Sequence, residues 1–218
     1  MICIIPARKG SKGLKNKNIK KLDGIPLIFH TIKIAQQSTE ISKILISTDD
    51  EKIIKLCRNQ KKVLVLSKRS KKLSTDKAKS IDVYLHSIKE YESLKNTKVN
   101  DFCAMLPTHP VRSQKEIDDA IRFFFKKKGK FLITVKEIPP INFNFAIKKN
   151  KIVPYKNIKM SVENRQKLVK NFSPNGSLYI FNHNELKKKK TFMTKNTIAY
   201  IQKKTPSFDI DTIKDFNF

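Results

Sequence analysis

The chain has 218 residues, 39% of them hydrophobic, enough for one sizeable core, so a single main domain is the default. A formal net charge of +28 by itself points toward nucleic acid or an anionic membrane. Arginine, however, occurs only at Arg8, Arg58, Arg69, Arg112, Arg122 and Arg165, and lysine is scattered along the whole chain, which reads as a solvated surface with no specific nucleic-acid partner. Cys3, Cys57 and Cys103 are far apart and sit in apolar surroundings, the pattern of reduced core thiols in a cytoplasmic protein rather than of a disulfide frame or zinc site. No apolar run approaches the ~18 residues a membrane span needs. The start "MICIIPARKG" lacks the charged segment and long apolar core of a signal peptide.

Strand-like and helix-like segments alternate through the first two thirds of the chain, the pattern of a parallel sheet covered by helices. "ICII" (2–5) reads as a buried strand, and "PLIFHTIKIAQQS" (26–38) carries Leu27, Ile28, Thr31, Ile32 and Ala35 at helical spacing. "KILIST" (43–48) is a second strand, after which Asp49 and Asp50 cap a helix with Ile53, Ile54 and Cys57 on one face. "KVLVL" (62–66) is a third strand and "SIDVYLHSIKEYESL" (80–94) a helix. "DFCAML" (101–106) precedes a helix over 113–128 that Ser113 and Glu116 open as a capping box, and "KFLITVKEI" (130–138) is a further strand. Beyond Pro139-Pro140 the texture changes. A hairpin is expected over 143–155 with its turn at "KKNK", and an irregular stretch over 156–174. "GSLYIF" (176–181) and "TIAYI" (197–201) return to strand, and "DIDTIKDF" (209–216) ends in a short helix.

The chemistry concentrates where the first strand ends. "IIPARKGSKGLKNKN" (4–18) fits neither the P-loop nor the dinucleotide fingerprint. It shares their physics nonetheless, with glycines that let N–H groups turn inward and Arg8, Ser11, Lys12 and Lys17 as donors. On composition alone it is equally a solvated lysine-rich loop; its position outside the carboxyl end of a parallel strand favours an anionic ligand, a polyphosphate. Near the other end, Asp209 and Asp211 are two residues apart, so on an extended segment both carboxylates face one side. That pair can hold a hard cation. Alternatively, Asp211 caps the helix that follows.

These residues, with "PLI" (26–28), "ISTDDEKI" (46–53), "RSKKLSTDKAKSIDVYLHSI" (69–88), "LPTHPVR" (106–112), "NRQ" (164–166), "PNGSLYIF" (174–181) and "DIDTIKDF" (209–216), make the chain similar to the cytidylyltransferases that activate N-acylneuraminic acids, the CMP-sialic acid synthetase family. The resemblance runs through essentially the whole chain. Ser11-Lys12-Gly13, where the branch acting on keto-deoxy-octulosonic acid tends to carry Ser-Thr-Arg, places it nearer the neuraminate branch with its legionaminic and pseudaminic acid enzymes.

The resemblance implies a Rossmann-like three-layer α/β/α nucleotidyltransferase fold over 1–218, mostly parallel in its sheet, with a dimerisation and sugar-binding insertion within 139–174. It implies transfer of CMP from CTP to an acidic nine-carbon sugar, with Mg²⁺ as cofactor and a homodimer as the working form. Arg8, Ser11, Lys17 and Asn18 then match the nucleotide-binding residues, Arg69 and Ser80 those around the cytosine, and Asp209 and Asp211 the metal ligands. Arg8, Lys17 and Asp211 become the catalytic candidates, Asp211 as a base for the anomeric hydroxyl. Leu106, Arg165, Gln166, Asn175 and Tyr179 fall at sugar-binding positions. Taken alone, Arg69 also reads as one more surface cation and Tyr179 as core.

Two departures bear on the substrate. Leu106 and His109 stand where the family usually reads Gln and Ser, so an amide that would bond the sugar is replaced by an apolar group, which puts N-acetylneuraminic acid itself in doubt more than the reaction class. Lys9, where a second glycine is common, adds charge and restricts the loop. Two other readings stay open at this point: a basic nucleic-acid-binding α/β protein, and a nucleotide-binding relative with little turnover.

Overall fold

The computed structural model describes residues 1–10, 13–140, 144–154, 169–202 and 209–216. In chain order the strands and helices are β1 (Ile2–Pro6), β2 (Lys21–Leu22), β3 (Ile25–Pro26), α1 (Leu27–Gln37), β4 (Lys43–Ser47), α2 (Glu51–Cys57), β5 (Val63–Val65), α3 (Ser80–Lys95) and β6 (Asp101–Ala104). There follow α4 (Gln114–Lys126), β7 (Phe131–Ile138), β8 (Phe145–Lys148), β9 (Lys151–Pro154), β10 (Asn171–Asn182), α5 (His183–Lys189) and β11 (Ile198–Ile201). Seven strands form one sheet in the order β11-β7-β10-β6-β1-β4-β5. All its neighbours pair in parallel except β10, which runs antiparallel to both β6 and β7.

Alternation along the strands builds two cores. Cys3 and Ile5 of β1 join Ile44, Ile46 and Cys103 on one face, beneath Ile28 and Ile32 of α1, Ile53 of α2 and Phe124 of α4. Ile4, Leu45, Phe102 and Phe181 point the other way, to Tyr84 and Ile88 of α3 and Leu186 of α5. Each fully buried side chain of this size contributes about 1.5–3 kcal/mol relative to exposure, so the period-two pattern fixes a three-layer α/β/α arrangement, as expected. The three cysteines are free and buried.

The helix caps follow the sequence. Asp50 accepts the Lys52 N–H at 2.9 Å, and Ser113 accepts that of Glu116 at 3.4 Å. The hairpin over β8 and β9 turns at Lys149 and Asn150, both at positive φ. Two features differ from expectation. The strand expected over 176–181 begins at Asn171, because residues 171–174, expected to be irregular, pair with Val135–Ile138 before the register shifts between Pro174 and Tyr179. Helix α5 went unread in the sequence: it is short, with Leu186 as its buried residue, and is set by the Asn182 side chain accepting the Glu185 N–H at 3.2 Å.

One buried arginine holds the ligand-facing loop after β6. Arg112 donates from Nε to the Ser177 carbonyl at 3.0 Å, from Nη1 to Thr31 Oγ1 at 2.9 Å, and from Nη2 to the Leu106 carbonyl at 2.6 Å and that of Gly176 at 3.4 Å. Nη1 also bonds the His109 carbonyl. The guanidinium thus ties loop 106–109, the irregular turn of β10 and helix α1 into one block. Burial pulls its pKa down to about 9. Removing it strands several buried carbonyls, so Arg112→Ala is expected to destabilise the fold by about 3 kcal/mol or more in urea unfolding; a loss below about 1 kcal/mol would contradict this role.

Candidate active site

The loop after β1 is pinned residue by residue from the ends of neighbouring elements. Ala7 N–H donates to the Ser47 carbonyl at 2.9 Å and the Ala7 carbonyl accepts Thr48 Oγ1 at 2.5 Å. The Arg8 carbonyl accepts the Asn18 amide at 3.0 Å, and Lys9 N–H donates to Asp49 Oδ1 at 2.8 Å. A short 3₁₀ turn over Lys17–Ile19 follows, entered through Asn16 at φ 57°. It buries Lys17 and Asn18, an uncommon position for an ammonium unless it is paired.

Lys17 has its partner 194 positions on. Its Nζ donates to Asp211 Oδ1 and to the Ile210 carbonyl, both at 2.9 Å. Ile210 is fully buried and its N–H donates to the Thr108 carbonyl at 2.7 Å. Ile210 points in, while Asp211 lines the cleft and Asp209 bonds the Thr108 side chain. The Asp211 side chain is taken by Lys17 rather than by the turn that follows, and Asp215 reaches back to accept the N–H groups of Asp211 and Thr212 at 2.9 and 2.6 Å. Gly13 completes the join: a Cβ built there would lie 2.5 Å from the Asp211 carbonyl oxygen, so no larger residue fits this approach.

Between these pieces lies a cleft of about 450 Å³, with Arg8, Lys17, Asn18, Leu106, Thr108 and Asp211 on its walls. On the other side of Arg8 a cavity of about 250 Å³ is lined by Arg69, Asp76, Ser80 and Val83. Arg8 faces both, and its Nη1 is 2.5 Å from Asp76 Oδ1. Both groups are partly exposed, so this pair adds little stability and gives way readily to a stronger anion. Arg69 is buried, its Nε bonded to Ser74 Oγ at 3.2 Å. Burial lowers its pKa, with Asp49 opposing and Arg8 reinforcing the shift.

The structure thus brings together Arg8, Lys17, Asn18, Leu106 and Asp211 around one cleft and Arg69 and Ser80 around the adjoining cavity. Asn175 sits apart, in a buried network: its Oδ1 accepts Thr134 Oγ1 at 2.7 Å and the Ser177 N–H at 3.1 Å, while its Nδ2 donates to Gln202 Oε1 at 2.5 Å. Gly176 beside it requires φ 73° and leaves only 3.4 Å between an added Cβ and Leu106 Cδ1. Tyr179 stacks on Phe181 and packs against Phe192; burial raises its phenol pKa, and the Asp209 charge adds to this. Ser11, Arg165 and Gln166 lie outside the described residues. Sequence reasoning missed Asp49 and Asp76 as parts of the site. "TDD" reads as a cap and Asp76 is assigned no role, and only the folded chain shows which carboxylate reaches an arginine.

His109 is buried with Nδ1 unpartnered, and its pKa falls to about 3 through burial and the nearby Arg112 and Lys136 charges. It is therefore a neutral imidazole at physiological pH.

An α/β/α sheet with Arg8 and Lys17 on the loop after its first strand, and Asp211 across the same cleft, is an arrangement that suits a nucleotidyltransferase. The sequence profile of the cytidylyltransferase family matches residues 2–209, and the chain belongs to that family. It is 33% identical over 219 residues to the N-acylneuraminate cytidylyltransferase of Streptococcus agalactiae serotype III, covering 99% of this chain and 51% of the relative. The chain therefore spans about half the length of that relative. With the CMP-N,N'-diacetyllegionaminic acid synthase of Campylobacter jejuni it is 31% identical, over 99% of this chain and 92% of that one. The solved structure of CMP:2-keto-3-deoxy-manno-octonic acid synthetase complexed with CTP shares the fold, with a TM-score of 0.70 at 14% identity over 99% of this chain and 95% of that chain.

Asp209 yields a pH prediction. Burial raises its pKa above 3.8, as does the Asp211 charge, while Thr108, Lys17 and Lys136 act the other way. A raised carboxyl contributes stability that is complete below the ordinary carboxylate value and is lost as pH rises through the folded-state value. At neutral pH the ionised group is thus a standing cost in the free protein. Asp209→Asn is expected to have a higher Tm than the parent at pH 7, with the difference closing as the pH approaches the ordinary carboxylate range; a lower Tm at pH 7 would contradict the assignment.

Proposed function

We propose that this chain transfers CMP from CTP to the anomeric hydroxyl of an acidic nonulosonic sugar of the neuraminic, legionaminic or pseudaminic type. The observation that carries this reading is the convergence of Arg8, Lys17 and Asp211 on one cleft, next to a cavity holding Arg69 and Ser80. The sugar oxygen attacks the α-phosphorus, the bond to the β-phosphate oxygen breaks and pyrophosphate leaves. Such transfer asks the protein chiefly for positioning and charge neutralisation. Arg8 and Lys17 meet the triphosphate, while Arg69 and Ser80 read the cytosine, whose O2 and N3 accept hydrogen bonds where uracil presents an N–H at N3. Asp211, its side chain 70% exposed, takes the hydroxyl proton. Leu106 offers the sugar an apolar wall, which favours a substituent pattern other than that of N-acetylneuraminic acid. Ser11, Arg165, Gln166 and Tyr179 complete the nucleotide and sugar contacts in this reading, while Asn175, its amide bonded to Thr134, Ser177 and Gln202, supports the wall from behind.

Asp209 and Asp211 suit Mg²⁺: two carboxylates two residues apart, with Asp209 made more basic by burial and by its neighbour's charge. Among the described residues no group of three or more His, Cys, Asp or Glu side chains could hold a metal, so phosphate oxygens and water have to complete the ligand set, as is usual for this ion. When bound, it neutralises charge on the phosphates. Phe145, Ile147, Ile152 and Val153 on the β8–β9 hairpin are exposed, which supports a homodimer formed through the insertion. A cytoplasmic location is part of this reading; no helix among the described residues is long and apolar enough to cross a membrane.

The test is pyrophosphate release with CTP, Mg²⁺ and a panel of neuraminic, legionaminic, pseudaminic and octulosonic acids, with UTP and ATP as controls. Turnover with CTP and a nonulosonic acid is expected; release with none of the acids, or equally with UTP, would refute the reading. Arg8→Ala and Lys17→Ala should each lower kcat by about 10²–10³-fold, the scale for one preorganised electrostatic donor.

A further inference from the structure

The sequence offers Asp49 and Asp50 together as caps of α2, but Asp50 alone holds that helix. Asp49 points elsewhere. Its Oδ1 accepts the Lys9 N–H at 2.8 Å and lies 3.7 Å from Nη2 of Arg69. A single carboxylate oxygen therefore hydrogen-bonds the backbone of the loop that faces the main cleft and stands at ion-pair distance from the guanidinium that lines the adjoining cavity.

The two ends differ in what else restrains them. Arg69 is further held by Ser74 Oγ, which does not reach the loop, and by its own N–H on the Thr48 carbonyl at 2.8 Å; Thr48 Oγ1 does reach the loop, at the Ala7 carbonyl, but this second link holds the Arg69 backbone and not its guanidinium. The loop is held at Ala7 and Arg8 by Ser47, Thr48 and Asn18, none of which touches the Arg69 side chain. The Arg69 side chain is 4% exposed and that of Asp49 22%, so water screens this contact less than it would a surface pair. Asp49 also offsets the cost that burial and Arg8 impose on the Arg69 charge.

We infer that Asp49 is a positioning residue that couples base recognition at Arg69 to the placement of the phosphate-binding loop. The inference rests on the nucleotide reading above. A base that engages Arg69 steadies Asp49 and, through it, the Lys9 N–H; a base that fails to engage Arg69 leaves the loop less well set for the triphosphate. Choice of base is thereby expressed partly as phosphate affinity.

The experiment is equilibrium binding of CTP, UTP and inorganic tripolyphosphate to the full chain, its Asp49→Asn, Asp49→Ala and Arg69→Ala variants and the Asp49→Ala/Arg69→Ala pair, with Tm recorded for each. Asp49→Asn keeps an oxygen to accept the Lys9 N–H and loses the charge facing Arg69. It should hold tripolyphosphate within about twofold of the parent while its CTP-over-UTP preference falls about tenfold, the scale of one hydrogen bond to a charged group. Asp49→Ala should weaken both ligands, and its effect on CTP should be far from additive with that of Arg69→Ala. A CTP preference that survives both Asp49 variants, or additive losses in the pair, overturns the coupling and leaves the nucleotide reading intact. A parent without CTP preference refutes the base-reading role of Arg69 and the coupling with it.

Discussion

The site depends on a lysine that reaches across almost the whole sequence. Lys17 Nζ bonds the Asp211 carboxylate and the Ile210 carbonyl at 2.9 Å, and without that join the first loop and the terminal aspartates are separate surface features. The ammonium is nearly buried, its side chain 10% exposed, and an unpaired ammonium there would be costly. The fold meets this by anchoring Ile210 in the interior and leaving Asp211 at the cleft. Gly13 is part of the same solution, since its missing Cβ leaves room for the Asp211 carbonyl.

Charge is distributed unevenly between number and effect. The excess of 47 Lys and Arg over 19 Asp and Glu lies mostly in lysines scattered along the chain. A few arginines do the organising. Arg112 binds loop 106–109 to β10 and α1, Arg69 lies in the wall of the smaller cavity, and Arg8 stands between the two spaces with Asp76 as its partner. A guanidinium suits these places because its planar fork spreads several donors over fixed directions.

Much of this was legible in the sequence, for reasons that differ by element. A parallel sheet covered by helices followed from the succession of strand-like and helix-like segments, "ICII" and "KILIST" among them, and the three layers from the family resemblance; the folded chain adds that period two sends Ile4 and Ile5 to opposite cores. The spacing of Asp209 and Asp211 and the position of the loop after β1 singled both out as site candidates, and the fold brings Arg8, Lys17 and Asp211 to one cleft. The early start of β10 was hidden because Pro174 and Gly176 are poor strand residues, and pairing with β7 overrides their local preference. Helix α5 was hidden by its length, as so few residues carry little periodic signal. The roles of Asp49, Asp76 and Arg112 are tertiary facts: a carboxylate or guanidinium declares its partner only when the chain is folded. The polar network that absorbs Asn175 was hidden in the same way.

The central claim is that the loop after the first strand and the terminal aspartates serve one metal-bound nucleotide. A crystal structure of the full chain with CTP and Mn²⁺, read by anomalous scattering, tests it most directly. The account predicts a metal peak beside the carboxylates of Asp209 and Asp211, with the triphosphate lying against Arg8 and Lys17. A metal and triphosphate bound away from these four side chains, or a nucleotide on the loop with no metal at the aspartates, would contradict it.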